Sequence, residues 1–567
     1  MSDALASDAS ALGLASQEQP SASATEPIVI RHFRQVVLWP LQLVSNEPAG
    51  QLQRHWESLQ RIEDHNPWRE PKDECGTDYG DFQERHYREF VTFLPFVQRF
   101  LYGEFTATGV PAREGEPSLR TFRREDIAGA QLTYADGATI KFGVAHVDLH
   151  FFLDADVVIL ALEMFSDELP LQRAQDTLFR FGRTYPTYWD TSGGGNCLRR
   201  VDWLSADGTA LATSDYDDRA RFVAHVGRHR APCFAAHWEY LLRPLLPEYS
   251  GHPGLLRYRQ LEYHRLPLMA YLAVDDPTRL TRADFIRLGL VTRPAEPDLL
   301  PYSESSTSDF EREFCEDRFW LRPDREVSGN TRLICGGNAF IAVGECNDRF
   351  FVGKKTGFFG QFRHQYFLLF LIAHFHRAAL LSMSDRLAYA MSRLDISDTQ
   401  SVKRFKREIR RTMEVFLRFS QRYWFHEVSN QPLARDVFRR IRDHLGNEPL
   451  CNAVRIEVQD MNDYLDSDSL RRQANTILRL TVVTTLGLIG TVATGFLGMN
   501  LIAAANARLD VRILIFALTL VGTTIVTVFS IVKSKRMADF LDSLSDERIP
   551  WRTKWRTLRR IEPPRVG

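Results

Sequence analysis

Two long runs without charged residues lie near the C-terminal end of the chain and dominate its hydrophobic pattern. The first extends from Leu480 to Ala507 and the second from Ile513 to Val532. A bilayer core about 30 Å thick needs roughly 20 apolar helical residues, so each run is long enough to cross it. We therefore predict transmembrane helices over 476–500 and 513–532, which an outer loop, 501–512, joins into an antiparallel hairpin.

The N-terminal part of the chain alternates between two periodicities. Residues 28–44 and the start of 146–165 are rich in β-branched and apolar residues, as strands are. Residues 131–147 show a hairpin pattern centred on Ala135-Asp136-Gly137, and 168–185 have the spacing of an amphipathic helix. This mixture predicts one α/β domain over 27–350.

After Gly360 the pattern becomes helical, because glycine and proline are rare and apolar residues recur every three or four positions. We predict a helical stalk over 360–475 with three long helices. One ends near Leu394, one begins at Thr399, and one begins after Pro449 and continues into the first membrane span. The apolar stretch 366–375 is too short to span a bilayer and is predicted to be a buried helix.

Charge and composition narrow the class of protein. The formal net charge of the 567 residues is -1, so no global field favours nucleic acid. The seven cysteines show no CxxC spacing, which argues against a zinc or disulfide framework and fits a reducing compartment. Residues 1–26 contain acids but no Lys or Arg, so we interpret them as a disordered tail rather than a secretory signal.

Positive charge near the two spans sets their predicted orientation, because cytoplasmic flanks carry the excess of Lys and Arg. The basic residues lie mostly outside the loop: Arg471, Arg472 and Arg479 before the first span, and Lys533, Lys535 and Arg536 after the second. The loop contains Arg508, Arg512 and Asp510. We expect an inner (plasma) membrane protein with both termini in the cytoplasm and 533–567 as a basic cytosolic tail.

The first span ends on Gly498-Met499-Asn500. This motif at the outer end of the penultimate span, with a short loop and the basic exit KSKR, resembles the CorA magnesium-transporter superfamily over roughly 360–536. The resemblance implies a pentameric funnel that conducts Mg²⁺, with Gly498, Met499 and Asn500 as its selectivity filter. The complete predicted architecture is an α/β cytosolic domain, a long-helix stalk and a two-helix transmembrane hairpin.

Pore-facing positions of the first span should recur about every seven residues if it lines a five-fold pore. Counting back from the outer end gives a series with hydroxyl, apolar and carboxylate positions: Thr491, Leu488, Thr484, Ile477, Leu470 and Asp463. Apolar rings of this kind can gate by dewetting.

The acidic stretch 457–468 lies just before the first span. Its carboxylates, among them Asp460, Asp463 and Asp466, are predicted to bind regulatory Mg²⁺ between subunits, as the family's sites do. The alternative is a solvated helix face that Arg471 and Arg472 balance. No resident cofactor is expected, and Mg²⁺ is the transported ion.

The outer loop departs from the family pattern, because Asp510 is its only acid. This departure keeps two alternatives open. One is a transporter of the same fold for Zn²⁺, Co²⁺ or Ni²⁺, and the other is a non-conducting, membrane-anchored sensor or scaffold.

Catalytic patterns are weak in this chain. His146, Asp148 and His150 alternate, so on a strand they would share one face, which suits zinc, although strand histidines more often face a polar interface. The tail 551–560 combines Trp and Arg and could lie on an anionic leaflet or remain solvated. No nucleophile–base pair or paired-carboxylate set indicates an enzyme.

Overall fold

The structure is a computed structural model. It describes residues 27–44, 54–62, 66–71, 84–103, 117–190, 193–262, 265–295, 300, 302–320, 330–355, 357–395, 398–498, 508–511, 513–514, 517–518, 521–522, 525–526 and 529. The chain divides into two compact units, Met1–Ile456 and Glu457–Gly567.

Fifteen strands are found among the described residues of the first unit. They are β1 (Val29–Val44), β2 (Leu119–Arg123), β3 (Gly129–Thr133), β4 (Thr139–Phe152), β5 (Val157–Pro170), β6 (Trp189–Asp190), β7 (Gly193–Gly194), β8 (Arg200–Leu204), β9 (Ala210–Thr213), β10 (Leu246–Pro247), β11 (Arg257–Gln260), β12 (Leu268–Val274), β13 (Cys315–Phe319), β14 (Thr331–Cys335) and β15 (Ala339–Glu345).

Thirteen of these strands form one large sheet in the order β13-β14-β15-β12-β1-β5-β4-β3-β8-β9, with β2 paired to β4, β11 paired to β1, and β10 paired to β11. The pairing of β12 with β15 is parallel, and β1 pairs antiparallel with both β5 and β12. Pro40 lies between the segment of β1 that pairs with β12, up to Val37, and the segment that pairs with β11, from Leu41. Proline lacks a backbone N–H donor. Because Pro40 lies between the two paired segments, it removes no hydrogen bond to β12 or β11.

Thirteen α-helices are found among the described residues. They are α1 (His55–Gln60), α2 (Glu84–Thr92), α3 (Pro95–Tyr102), α4 (Leu171–Arg180), α5 (Arg219–His229), α6 (Ala236–Leu242), α7 (Arg282–Leu290), α8 (Glu304–Phe314), α9 (Phe358–Gln361), α10 (Phe367–Ser392), α11 (Thr399–Arg422), α12 (Pro432–Leu445) and α13 (Asn447–Gly498). A 3₁₀ turn covers Pro277–Arg279, and a π-helical turn, Phe362–Tyr366, joins α9 to α10.

The predicted strands and the hairpin turn are found where the hydrophobic pattern places them. β1 covers nearly all of 28–44, and β3 and β4 flank the turn in which Gly137 has φ +85°. A positive φ is accessible to glycine without steric cost. The amphipathic helix within 168–185 is α4.

Helix α10 packs against the sheet and is the main helix of the core. The rings of Phe375 on α10 and Phe152 on β4 stack with centroids 3.8 Å apart. The predicted burial of 366–375 is confirmed, because Leu369, Phe370 and Leu371 are all fully buried.

The residues predicted as a stalk divide between the two units. Helices α10, α11 and α12 belong to the first unit with the sheet, whose boundary lies at Ile456. They are held there by buried contacts: Tyr423, the residue after α11, is buried and donates its hydroxyl hydrogen to the carbonyl of Leu153 at 2.9 Å. Helix α12 was not predicted, and α13 begins at Asn447, two residues before Pro449.

The second unit contains most of α13 and a second helical segment. The described residues between 509 and 529 are helical. Their large apolar side chains are exposed, with Leu509 at 74 % and Leu518 at 68 % of full exposure. The residues from 530 onward lie outside the described part of the chain, as does the predicted disordered tail 1–26.

Candidate ion pathway

Helix α13 carries most of the residues predicted to form the ion pathway. It is unbroken over 52 residues, which at 1.5 Å per residue corresponds to about 78 Å. Proline is tolerated in the first helical turn, and Pro449 is the third residue of α13. The helix therefore continues from the acidic stretch through most of the first uncharged run, to Gly498.

Apolar side chains of α13 are exposed to an unusual degree. Leu470, Ile477 and Leu488 are 64 %, 63 % and 65 % exposed. A contiguous apolar surface of this kind marks contact with lipid or another protein chain. We therefore expect lipid or another protein chain to cover the apolar part of α13.

The predicted pore-lining residues fall on one stripe of α13. Seven residues turn an α-helix through 700°, about 20° short of two full turns. Asp463, Ile477, Thr484 and Thr491 therefore share a face that drifts slowly around the helix, and all four are exposed. They form a stripe that slants around the helix rather than a straight line.

The threonines on this stripe hydrogen-bond to their own helix. The Oγ1 of Thr484 donates to the carbonyl of Leu480 at 2.9 Å, and that of Thr491 donates to the carbonyl of Gly487 at 2.8 Å. Each hydroxyl has one hydrogen and two lone pairs. With the hydrogen used inside the helix, the oxygen can only accept hydrogen bonds from outside it.

The filter motif lies at the end of α13. Gly498 is the last helical residue, whereas Met499 and Asn500 lie outside the described residues.

The acidic stretch 457–468 lies on α13 within the helix. Asp460 and Asp463 are exposed, and Asp466 is helical. Among the residues that the structure describes, no three His, Cys, Asp or Glu side chains are placed to hold a metal ion.

One helix in the described part of the chain is long and apolar enough to cross a membrane, and it is Phe358–Ser392. In its most apolar window, 72 % is buried inside the protein. Because that surface is covered by the sheet and the neighbouring helices, we interpret it as the core helix. A shorter apolar helix covers Thr476–Leu488 within α13.

The zinc interpretation of His146, Asp148 and His150 is wrong for the described residues. All three lie on β4 and line one cavity of about 890 Å³, as a shared strand face requires. However, Asp148 accepts two hydrogen bonds from Arg123, at 2.7 and 2.8 Å, and His146 Nε2 lies 2.8 Å from a nitrogen of Arg363. Asp148 and His146 are therefore paired with arginines, and the described residues hold no group of three His, Cys, Asp or Glu placed to bind a metal ion.

Burial lowers the pKa of both histidines of this cavity. It is the main cause that lowers the pKa of His150, to about 4, and nearby Asp148 offsets it only in part. The pKa of His146 is also lowered, first by burial and then by Arg123.

Sequence reasoning missed the other charged residues of this cavity. Arg123, Glu163 and Arg363 come from β2, β5 and the π-helical turn, and no local pattern links such distant segments. The only available signal was a charged residue in the apolar run 157–164.

A comparison with protein families matches the C-terminal part of the chain. Residues 387–536 match the family described as CorA-like Mg²⁺ transporter protein. The match covers 150 of the 567 residues, from within α10 to the basic exit after the second uncharged run. A search of curated proteins found no match. Residues 387–536 are thus similar to the CorA-like family, which the Gly-Met-Asn motif and its setting also indicate.

Proposed function

We propose that the protein is a homo-oligomeric membrane channel that conducts divalent cations, Mg²⁺ foremost, along α13. The observation that carries this proposal is the family match over 387–536, which includes all of α13 and the Gly498-Met499-Asn500 motif. The exposed apolar residues of α13 and of 509–529 support a position in the bilayer.

The filter is assigned to Gly498, Met499 and Asn500. Mg²⁺ gives up its water reluctantly, so a ring of carboxamide oxygens can select the hydrated ion by hydrogen bonding to its water. A full charge at this point would bind the ion too tightly to release it. One Asn per chain requires several chains around one axis, and the family resemblance suggests five.

The wall of the pathway is assigned to the stripe on α13. The lone pairs of Thr484 and Thr491 suit the hydration water of a cation, because their hydrogens are already used within the helix. Leu488, Ile477 and Leu470 would form apolar rings, which close a pore when they lose water. Asp463 would form a carboxylate ring at the cytosolic end.

The proposed orientation places both termini in the cytoplasm, with the loop 501–512 outside. The membrane potential then drives ions inward, since one charge gains about 2.3 kcal/mol per 100 mV. A divalent ion gains twice that, about 4.6 kcal/mol, so passive flow suffices.

The acidic stretch is assigned a regulatory role. Asp460 and Asp463 are exposed on one helix with three-residue spacing, and Asp466 continues that spacing. Carboxylates are the ligands that Mg²⁺ prefers, so Mg²⁺ held between subunits here would stabilise the closed state.

The test is ion flux into liposomes that contain the purified full-length protein and a Mg²⁺-sensitive dye. We expect Mg²⁺ influx from the wild type and a loss of at least tenfold in Asn500→Ala. Asn506→Ala makes the same chemical change in the outer loop and should retain the wild-type rate. Asp463→Asn should reduce inhibition by Mg²⁺ on the cytosolic side.

The outcomes separate the alternatives. Influx of Zn²⁺, Co²⁺ or Ni²⁺ without Mg²⁺ would assign a different ion to the same pathway. A folded oligomer that passes none of these ions would overturn the channel proposal and favour a membrane-anchored sensor or scaffold.

A further inference from the structure

Helices α10 and α11 form an antiparallel hairpin whose closed end is rich in basic residues. Phe375 near the start of α10 contacts Phe419 in the last turn of α11, so the end of α10 and the start of α11 lie at the opposite end of the hairpin. We call residues 389–395 and 398–411 the hairpin tip. The tip contains seven Lys or Arg and three Asp or Glu, although the formal net charge of the whole chain is -1.

Four cations of the tip lie on one exposed face of α11. They form what we call the basic ridge: Lys403, Arg404, Arg407 and Arg410, all exposed. At 3.6 residues per turn their positions cover an arc of about 120° around the helix. Phe405 and Ile409 on the other side of α11 are buried. Helix α11 therefore packs its apolar face into the first unit and presents the basic ridge to its surroundings.

The basic ridge has no counter-ion within the described part of the chain. Arg418, further along α11, forms an ion pair with Asp154, whereas none of the four ridge residues forms an ion pair with a described residue. Lys403 and Arg407 are four residues apart, and like charges at this spacing destabilise a helix. Cations are favourable near the end of a helix rather than near its start. An anionic partner therefore explains the basic ridge better than the stability of α11 does.

The hairpin tip also exposes apolar side chains at the end of α10. Tyr389 and Met391 are 55 % and 51 % exposed. The guanidinium carbon of Arg393 lies 4.9 Å from the centre of the Tyr389 ring. Tyrosine beside basic residues is typical of a membrane interface, where the ring lies among the headgroups and the cations contact phosphates.

We propose that the hairpin tip contacts the anionic headgroups of the cytoplasmic leaflet, with the basic ridge on lipid phosphates and Tyr389 and Met391 between headgroups. This inference rests on the membrane position in the proposed function. The cytoplasmic leaflet is negatively charged, and each Lys or Arg near its surface adds to the attraction. A chain anchored in the bilayer is tethered to this surface, which raises the effective concentration of the lipid. An acidic protein would have to be recruited from solution.

The test is photo-crosslinking of the full-length protein in vesicles of phosphatidylcholine and phosphatidylglycerol. Tyr389→p-benzoylphenylalanine places the photoreactive group at the tip, and Tyr188→p-benzoylphenylalanine is the control, because Tyr188 is 52 % exposed elsewhere in the first unit. Mass spectrometry measures the lipid adducts. We expect adducts at position 389 and none at position 188. Vesicles of phosphatidylcholine alone should lower the yield at position 389 roughly tenfold, because they lack the negative surface charge.

The charge of the basic ridge is tested in the Tyr389→p-benzoylphenylalanine protein. Replacing all four ridge residues with Gln should lower the adduct yield roughly tenfold, because the attraction depends on the number of cations near the lipid surface. The matched control removes the same charge from four other exposed positions of the first unit, with the changes Arg228→Gln, Arg230→Gln, Lys354→Gln and Lys355→Gln. It should leave the yield unchanged.

Flotation of the vesicles separates this inference from the proposed function. If the protein floats with the vesicles but forms no lipid adduct at Tyr389, or at Met391 in Met391→p-benzoylphenylalanine, the inference is overturned and the channel proposal stands. Adducts that join two copies of the chain instead of lipid would overturn it as well, as would an unchanged yield without the ridge charges. A folded protein that does not float would overturn both proposals.

Discussion

Glu163 is a single carboxylate that holds two arginines in the core of the sheet. Its side chain is 8 % exposed, and it forms ion pairs with Arg34 at 3.1 Å and Arg363 at 2.7 Å. The three residues tie β1 and β5 to the π-helical turn. Removing the charge leaves two positive groups close together without a counter-ion.

Glu163→Gln should lower the free energy of unfolding by about 2–4 kcal/mol. Breaking a fully buried ion pair costs roughly 3–5 kcal/mol, and the two arginines keep some contact with solvent. Urea unfolding followed by tryptophan fluorescence measures the change. The control is Glu168→Gln, a 76 % exposed partner of Arg31, which should cost less than about 1 kcal/mol. Equal losses in the two variants would contradict the prediction.

Single residues also show the limit of sequence reasoning. The alternation of His146, Asp148 and His150 correctly indicated a shared strand face, and all three line one cavity. Their chemistry was not predictable, because it depends on Arg123 and Arg363, which only the folded sheet brings to the same place. A period-2 pattern predicts which residues share a face of a strand, but it does not predict which residues from other elements contact that face.

At the scale of secondary-structure elements, Gly446 separates helices α12 and α13. It ends α12 in the left-handed region, with φ 66° and ψ 30°, one residue before α13 begins. A side chain added there would meet no atom within 4 Å, so the cost of substitution is in the backbone alone. Left-handed conformations cost other residues roughly 1–2 kcal/mol.

Gly446→Ala should therefore lower the free energy of unfolding by about 1 kcal/mol. Gly227→Ala is the matched control, because Gly227 lies in helix α5 and also has open space around it. Alanine is the better helix former by about 0.8–1 kcal/mol, so this change should stabilise the protein or leave it unchanged. Chemical unfolding of both variants measures the two changes in the free energy of unfolding, which should have opposite signs. A lower free energy of unfolding in both variants would contradict the prediction.

The elements that sequence predicted best are those with strong periodicity. β1, the turn at Gly137 and the buried α10 follow directly from spacing and composition. The short helix α12 was missed, since a glycine and a proline closely bracket the 14 residues that it covers. The stalk was predicted as a separate element because periodicity does not say whether a helix packs on a sheet.

At the scale of the whole molecule, four histidines among the described residues have a pKa that burial lowers to about 3 or 4. Burial lowers the pKa of His150 to about 4 and those of His237, His374 and His376 to about 3. An unfolded histidine has a pKa near 6.5. Protonation therefore favours the unfolded state, and the stability present above pH 6.5 is lost as the pH falls toward 3–4.

We expect the free energy of unfolding to fall between pH 7 and pH 5, by up to about 2 kcal/mol for each of these histidines. Urea unfolding at the two pH values measures the loss. His374→Phe removes one titrating group and should make the pH dependence shallower by one proton. An unchanged slope in that variant would show that His374 takes a proton while folded.

At the scale of the molecule, the sequence predicted the C-terminal part of the chain better than the large sheet. The hydrophobic runs, one tripeptide, the short loop and the basic exit were sufficient to indicate a resemblance to the CorA superfamily over roughly 360–536, and residues 387–536 match that family. The large sheet that precedes it could be predicted only as a mixture of strands and helices. Strand order depends on pairings such as β1 with β12, which carry no local signal.

The position of β1 in the sheet has a consequence for the order in which the protein is made. β1 ends at Val44 and pairs with β12, which starts at Leu268, 224 positions later. At about 5–20 residues per second, one edge of β1 waits some 11–45 s on the ribosome before its partner emerges. All residues of the first unit, which ends at Ile456, are synthesised before the apolar part of α13. We therefore expect membrane insertion to act on a chain whose first unit stays on the side where it was synthesised.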